Sequence, residues 1–476
     1  MNKAWIAVGA LVVATASCGG GVEAGTSTST GNASSGGDPL CIPGQQSACA
    51  CVGGAMGAQT CRADGSGFDP CLGCGETGSS GSASTGAGGA SSSSGSGGEG
   101  HGGTASATSS TSATSSASGS TSTGGGCMTG PNLDLDQDGW TPTQGDCNDC
   151  DPLTNPAAIE GVGDATDEDC DGLVDNVLPS CDQGLALDDN DPQSAAKAVE
   201  LCKVANGPKD WGVTSAKWVS PDGSPAPVSP EYDLGHGLLG AFGPNVHVQA
   251  GQTMLGLSSG TARQPTDPGY QDVGGFSKGF SSNSPPGFPK ATPSCPGVVT
   301  GSPHDAVALE IALRAPSNAH GFSFDFNVFT YEWPGYTCSQ FNDLFLALLS
   351  PVPAGLADGN ISFDAQGDYI GPNSSLIEVC GCAVPPCMAG GKTFACDLGN
   401  QGLVDTGFTS TQGEDHGSSG WLVSTAPVTP NQAITIRWTT YDSGDAILDT
   451  TTLLDNWRWI VTPGVQVETT RIQLPK

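Results

Sequence analysis

Basic residues are scarce in this chain. Its 476 residues hold 15 Lys and Arg against 48 Asp and Glu, a formal net charge of −33. That balance excludes a nucleic-acid footprint, which needs clustered cations. No run of apolar residues beyond the N-terminus approaches the ~18 of a membrane span, so no transmembrane helix is expected. Catalytic signatures are also thin. There is no HExxH, no phosphate loop and no Cys/His pair outside the cysteine groups. Gly256-Leu257-Ser258-Ser259-Gly260 fits G-x-S-x-G, but a nucleophile elbow leads into a helix, and turn-rich TARQPTDPGYQD follows. His304 and His416 stand as lone histidines, which more often serve structure than catalysis. The expectation is therefore a non-enzyme. A surface hydrolase stays open as the alternative, because paired carboxylates for glycoside hydrolysis are available in so acidic a chain.

What is abundant is glycine (72 residues), cysteine (19) and aspartate. Lys3 followed by the apolar run Ala4 to Ala14 reads as a signal peptide over 1–17. Ala14-Thr15-Ala16 would suit ordinary signal peptidase. Thr15-Ala16-Ser17-Cys18 resembles a bacterial lipobox, which implies lipidation of Cys18 and a membrane tether over 18–40. Gly19 after the cysteine, by resemblance to Gram-negative lipoproteins, implies the outer membrane or cell surface. Without Cys18 the cysteines form three groups of six: 41–74, 127–202 and 295–396. Even sets in an exported chain read as disulfide frameworks. Cys380-x-Cys382-x4-Cys387 and the cysteines of 41–74 keep a metal reading open beside this one.

Residues 41–74 are too few to bury a core unaided and form a small cysteine-rich module. Residues 75–126 are nearly all Gly, Ser, Thr and Ala, a disordered linker spanning roughly 40 Å as a random coil.

Residues 127–191 form an acidic module. Between Pro131 and Asp191 stand 15 Asp and 2 Glu, with no Lys or Arg. Such a density repels itself unless a cation sits within it. Asp134-x-Asp136-x-Asp138-Gly139 is the first half of a calcium loop: alternate oxygens wrap a hard cation and the glycine turns the chain. Gly145 stands where an EF-hand would need a bidentate Glu. Asp167-x-Asp169-x-Asp171-Gly172 repeats the pattern, and Asp146, Asn148, Asp149 and Asp151 lie between the two. A solvated acidic linker is the competing reading, against which Trp140, Ile159 and Leu173 are odd company. The segment resembles the metal-binding repeat of bacterial surface proteins, grouped with a methanotroph copper-binding protein. The shared residues are Asp136-x-Asp138-Gly139, Gly145-Asp146-Cys147-Asn148-Asp149, Asp151-Pro152, Pro156, Glu160 and Asp167 to Gly172. Hard oxygen donors without histidine favour Ca²⁺, with Cu²⁺ the minor alternative.

Residues 192–476 read as mainly β, a sandwich or jelly roll. Pro192 to Ala205 is the one convincing helix. Strands are expected at Val246–Val248, Ala306–Leu313, Gly321–Thr330, Leu344–Leu349, Ile434–Thr439 and Trp457–Val461. The alternation of Phe322, Phe324, Phe326 and Val328 with Ser323, Asp325 and Asn327 predicts a half-buried antiparallel strand. This region resembles the choice-of-anchor L domain of bacterial surface proteins, on Met254 to Ala262, Phe322 to Phe326, Glu332-x-Pro334-x-Tyr336 and Phe341-Asn342-Asp343-x-Phe345. The resemblance implies an exported module and no catalytic activity. Glu332, Asn342 and Asp343 form a candidate second metal site, and Asp442, Asp445, Asp449 and Asp455 another acidic group, against turn-capping as the plain reading. The whole then reads as a lipid-anchored surface protein with a calcium-stabilised stalk and a binding or adhesion head for an extracellular glycan or protein. A metal-capture protein is the alternative.

Overall fold

A computed structural model describes residues 46–50, 56–60, 62, 130–409 and 416–472. The signal peptide, Cys18, the linker and most of the 41–74 module lie outside these residues. The chain divides into two units, Met1–Thr104 and Ala105–Lys476. In the first, β1 (Gln46–Ala50) and β2 (Met56–Thr60) pair as an antiparallel hairpin, Gln46 opposite Thr60.

The second unit is mainly β. The acidic segment has almost no regular structure, only a 3₁₀ turn at Pro142–Gln144. Then come α1 (Pro192–Lys197), β3 (Gly212–Val219), α2 (Pro230–Leu234), β4 (His236–Leu239), β5 (Met254–Ser258), β6 (Pro303–Arg314), β7 (Gly321–Thr330) and β8 (Leu344–Ser350). β9 (Cys387–Ala389) and β10 (Lys392–Phe394) form a small hairpin. They are followed by β11 (Gly417–Ser418), β12 (Leu422–Pro427), β13 (Ala433–Ser443), β14 (Thr450–Ile460) and β15 (Glu468–Arg471). One sheet runs β15-β12-β7-β14-β5-β4, with β11 also on β7; the other runs β3-β6-β13-β8. Every pairing is antiparallel.

The two sheets share one core. Phe322, Phe324, Phe326 and Val328 of β7 meet Leu309 and Ile311 of β6, Ile436 and Trp438 of β13, and Phe345 and Ala347 of β8. This is the expected sandwich. Trp438 and Trp457 serve that core, while Trp211 and Trp333 are buried outside it. On the β3-β6-β13 sheet, Lys217 and Arg437 stand opposite Glu310 from either side and both pair with it, locking the register.

Three expectations need correction. β7 is buried on both faces, not one. It is a central strand, and its polar side chains are satisfied internally: Ser418 donates to Asn327, while Asn456 and Arg458 donate to Asp325. The helix from Pro192 stops at Lys197. Glu200 takes a left-handed φ of 64°, and the bonds Leu201 N to Ala196 O and Glu200 N to Lys197 O close a Schellman-type end. Cys202 is thereby delivered to Cys181 in a disulfide. Val246–Val248 is not a strand; it supplies only the single bridge His247 to Ala241.

For the cysteines among the described residues the disulfide reading holds. Cys147–Cys170, Cys181–Cys202, Cys295–Cys338, Cys380–Cys396 and Cys382–Cys387 are bonded, and Cys150 is also in a disulfide. The metal reading of Cys380, Cys382 and Cys387 therefore falls, because their thiolates are consumed. No helix among the described residues is long and apolar enough to cross a membrane.

Candidate metal centre

The loop Asp134 to Trp140 folds on its own carboxylates. Asp134 Oδ2 accepts from Gly139 N at 3.1 Å, Asp136 Oδ1 from Asp138 N at 3.1 Å, and Asp138 Oδ1 from Trp140 N at 2.7 Å. Gln137 (φ 67°) and Gly139 (φ 96°) supply the left-handed turns that let alternate side chains face one point. From the next loop, Asp146 Oδ1 accepts from Asn148 N, and Asp149 Oδ1 reaches back to Leu135 N at 3.0 Å. Each of these side chains thus uses one oxygen to shape the backbone.

The second oxygens converge. Ligand oxygens of Asp134, Asp136 and Asp149 lie within 4.8 Å of one another, as do those of Asp136, Asp138 and Asp146. Asp134 Oδ1, Asp136 Oδ2, Asp138 Oδ2 and Asp146 Oδ2 are buried without a hydrogen-bond partner among the described residues. Two carboxylates at such a spacing repel by roughly 3 kcal/mol at an effective dielectric of about 20. Burial, then repulsion from its neighbours, raises Asp136 and Asp146, and pushes Asp138 up to about 6. Buried oxygens that find no donor are rare in folded proteins. A hard divalent cation within either group would satisfy the oxygens of that group, so the residues fit Ca²⁺. The donor set does not fit copper as well: these groups contain no histidine, and the nearby Cys147 is in a disulfide.

The second loop is arranged differently. Glu160, Asp167 and Asp169 bring ligand oxygens within 4.8 Å. Glu160 is drawn in by accepting from Glu168 N, Asp169 N and Asp175 N. Asp171, in the same motif, instead accepts from Leu173 N and Asn176 Nδ2. Asp151 accepts from Leu153 N and is outside these groups, though near enough to raise Asp136. Glu160 was missed as a ligand in the spacing argument because it precedes its loop by seven residues; its one signal was membership of the repeat pattern. The Cys147–Cys170 bridge ties the two loops together.

The acidic segment is fastened to the sandwich. Ser317 N donates to Ala157 O, and Ser317 Oγ to Asn155 Oδ1. Lys209 donates to Gly139 O and its ammonium stands 4.9 Å from the Trp140 ring centre.

In the head, Glu332 and Asp343 come together, Asp343 N donating to Glu332 Oε2 at 2.7 Å. Asn342 turns away, its Nδ2 donating to Tyr369 Oη at 3.2 Å. Asp442 and Asp449 join Glu332 and Asp343, whereas Asp455 faces Glu200 elsewhere. Ser258 is a buried strand residue whose Oγ accepts from Thr451 Oγ1 and Gly260 N. Comparison with known proteins finds no match, whether to a family, a curated protein or a solved structure.

Proposed function

We propose that this chain is an exported surface protein, anchored by lipid at Cys18, whose acidic module binds Ca²⁺ and thereby stiffens the support of a β-sandwich head that binds a glycan or a protein. The observation that carries the calcium step is the set of buried oxygens on Asp134, Asp136, Asp138 and Asp146 that have no hydrogen-bond partner among the described residues. The export step is supported by the N-terminal pattern and by the disulfides, which suit an oxidising compartment. The resemblance to surface-protein repeats and to the choice-of-anchor L domain supports the same reading. For the head, the tryptophans buried in the core are not available as a platform. A polar surface pocket of about 580 Å³ lined by Gln271, Asp272, Phe276 and Tyr331 is the better candidate for ligand contact.

Calorimetry with Ca²⁺ and separately with Cu²⁺ tests the reading. Calcium binding whose stoichiometry falls in Asp136→Asn/Asp138→Asn, with a calcium-dependent melting temperature, is the expected result. Tight copper binding without a calcium effect would replace it with metal capture. Glycan and protein arrays probed with the purified chain test the head.

A further inference from the structure

Asn206-Gly207 is the only Asn-Gly pair in the sequence. It lies on the connection from Cys202, held by its disulfide, to β3, and both residues are exposed. An asparagine before a glycine can close on its own backbone. The glycine nitrogen attacks the side-chain amide carbon, and a five-membered imide forms. A Cβ on the second residue crowds that approach, and glycine has none. Asn155, Asn327, Asn342 and Asn360 are protected by contrast: each is buried, and each is followed by a residue with a side chain.

The surroundings leave this step open. A Cβ built on Gly207 would meet nothing within 4 Å, so the space beside the nucleophile is clear. Gly207 N donates no hydrogen bond among the described residues, so none has to break before it attacks. The Asn206 side chain is held by one bond, Nδ2 to Val204 O at 3.1 Å, and that nitrogen is the one that departs. The turn around the pair is itself anchored: Asn206 N donates to Asp210 Oδ2 at 2.8 Å, and Asp210 N to Gly207 O at 3.3 Å. Asp210 also pairs with Lys203 at 3.0 Å. Two residues beyond Gly207, Lys209 donates to Gly139 O and stands over Trp140, at the Asp134 to Trp140 loop. Any change in the course of the chain at 206–207 is therefore passed to the residue that grips that loop.

We propose that Asn206 is a self-modification site, which deamidates through the imide to aspartate and isoaspartate and so loosens the hold of Lys209 on the acidic loop. In the first step the bond from Gly207 N to Asn206 Cγ forms and the Cγ–Nδ2 bond breaks. The Gly207 amide proton ends on Nδ2, which leaves as ammonia. Water then opens the ring. Cleavage of the new Cγ–N bond gives aspartate; cleavage of the original peptide C–N bond gives isoaspartate. No oxidant or reductant takes part. The product places a carboxylate where Asn206 stood, next to the Asp210 carboxylate, and like charges so close repel. Isoaspartate also lengthens the backbone by one carbon ahead of Pro208 and Lys209. Both effects disturb the turn that presents Lys209 to Gly139 and Trp140. The modification stands on its own; only the meaning of the loosened loop for calcium rests on the function proposed above.

The test is a time course of the purified full chain held at neutral and at mildly alkaline pH, followed by peptide mapping with mass spectrometry. The peptide carrying Asn206 should gain one mass unit with time and split into two chromatographic forms. The gain should be faster at the higher pH, because the attacking amide must shed its proton. Gly207→Ala, whose Cβ enters open space, should slow the gain several-fold, and Asn206→Gln should remove it. No gain on that peptide, or an equal rate in Gly207→Ala, overturns the proposal. Hydrogen exchange of the 134–140 segment reads the consequence. Faster exchange in aged wild type than in fresh wild type or aged Gly207→Ala is expected, and equal exchange overturns the loosening. Failure of the acidic module to bind Ca²⁺ would show in the calorimetry alone and would leave the mass readout unchanged.

Discussion

Asn318 grips Ile159 by both of its backbone groups: Ile159 N donates to Asn318 Oδ1 at 3.0 Å, and Asn318 Nδ2 donates to Ile159 O at 2.7 Å. The two residues are 159 positions apart, one in the acidic segment and one in the β6–β7 connection. With Ser317 beside it, this clamp fixes the acidic loops to the sandwich. Asn318→Ala removes both bonds and leaves a half-buried amide unpaired. A loss of about 2–3 kcal/mol is expected, read by chemical denaturation. An unchanged midpoint would mean that the module is held elsewhere.

Glu200 and Asp455 make stability fall with rising pH. Burial, then repulsion from Asp455, pushes the Glu200 carboxyl up to about 10; burial pushes Asp455 up to about 7. Ordinary values are 4.5 and 3.8, so the folded chain holds more protons than the unfolded chain above that range. The stabilisation is complete in acid and is lost as pH rises through 7 toward 10. Glu200→Gln keeps an acceptor for Asn456 N and a donor toward Asp455, but cannot ionise. It should flatten the pH profile and exceed wild type by on the order of 1 kcal/mol in mild alkali. Melting curves across the pH range decide this, and parallel curves for the two proteins would refute it.

Gly212 opens β3 at φ 117°, a conformation that L side chains rarely adopt, and a Cβ there would collide with the Lys203 carbonyl. Both strain and backbone overlap oppose a side chain. Gly212→Ala should cost roughly 2–4 kcal/mol. Gly207→Ala, where nothing lies within 4 Å of the new Cβ, is the matched control and should stay near neutral. Equal melting temperatures for the two variants would contradict the reading.

Period-2 alternation in Phe322 to Val328 and the β-branched run Ile434 to Thr439 were legible because sheet pleating imposes that pattern directly. The even cysteine groups were legible for the same kind of local reason. Burial of the polar face of β7 was not, since it depends on Ser418, Asn456 and Arg458, which lie 91 or more positions from their partners. Most of β14 was hidden because Thr450 to Asn456 reads as polar, although Thr451 and Thr452 are fully buried. The aspartates at 134, 136 and 138 announced their loop through spacing. The meeting of Glu332 and Asp343 with Asp442 and Asp449 is set by topology, which no local pattern encodes, and Asn342 was drawn into that group only by its place in the chain.

The Cys147–Cys170 bridge closes 23 residues and joins the two acidic loops. Asp146 is adjacent to one end of the bridge and Asp169 to the other, so the bond holds ligands of both loops in place while their charges repel. Replacing both cysteines by serine relieves that constraint on the unfolded chain, worth about 3 kcal/mol for a loop of this length by chain entropy. The larger effect should fall on the cation-free protein, where carboxylate repulsion is uncompensated. With calcium bound, the ion itself draws the carboxylates together and offsets part of the loss. The variant should therefore show weaker calcium affinity, by about tenfold for each ~1.4 kcal/mol of lost preorganisation, and a larger calcium-induced rise in melting temperature than wild type. Titration calorimetry and melting curves with and without Ca²⁺ measure both. Equal affinity in the two proteins would show that the loops organise themselves around the ion without the bridge.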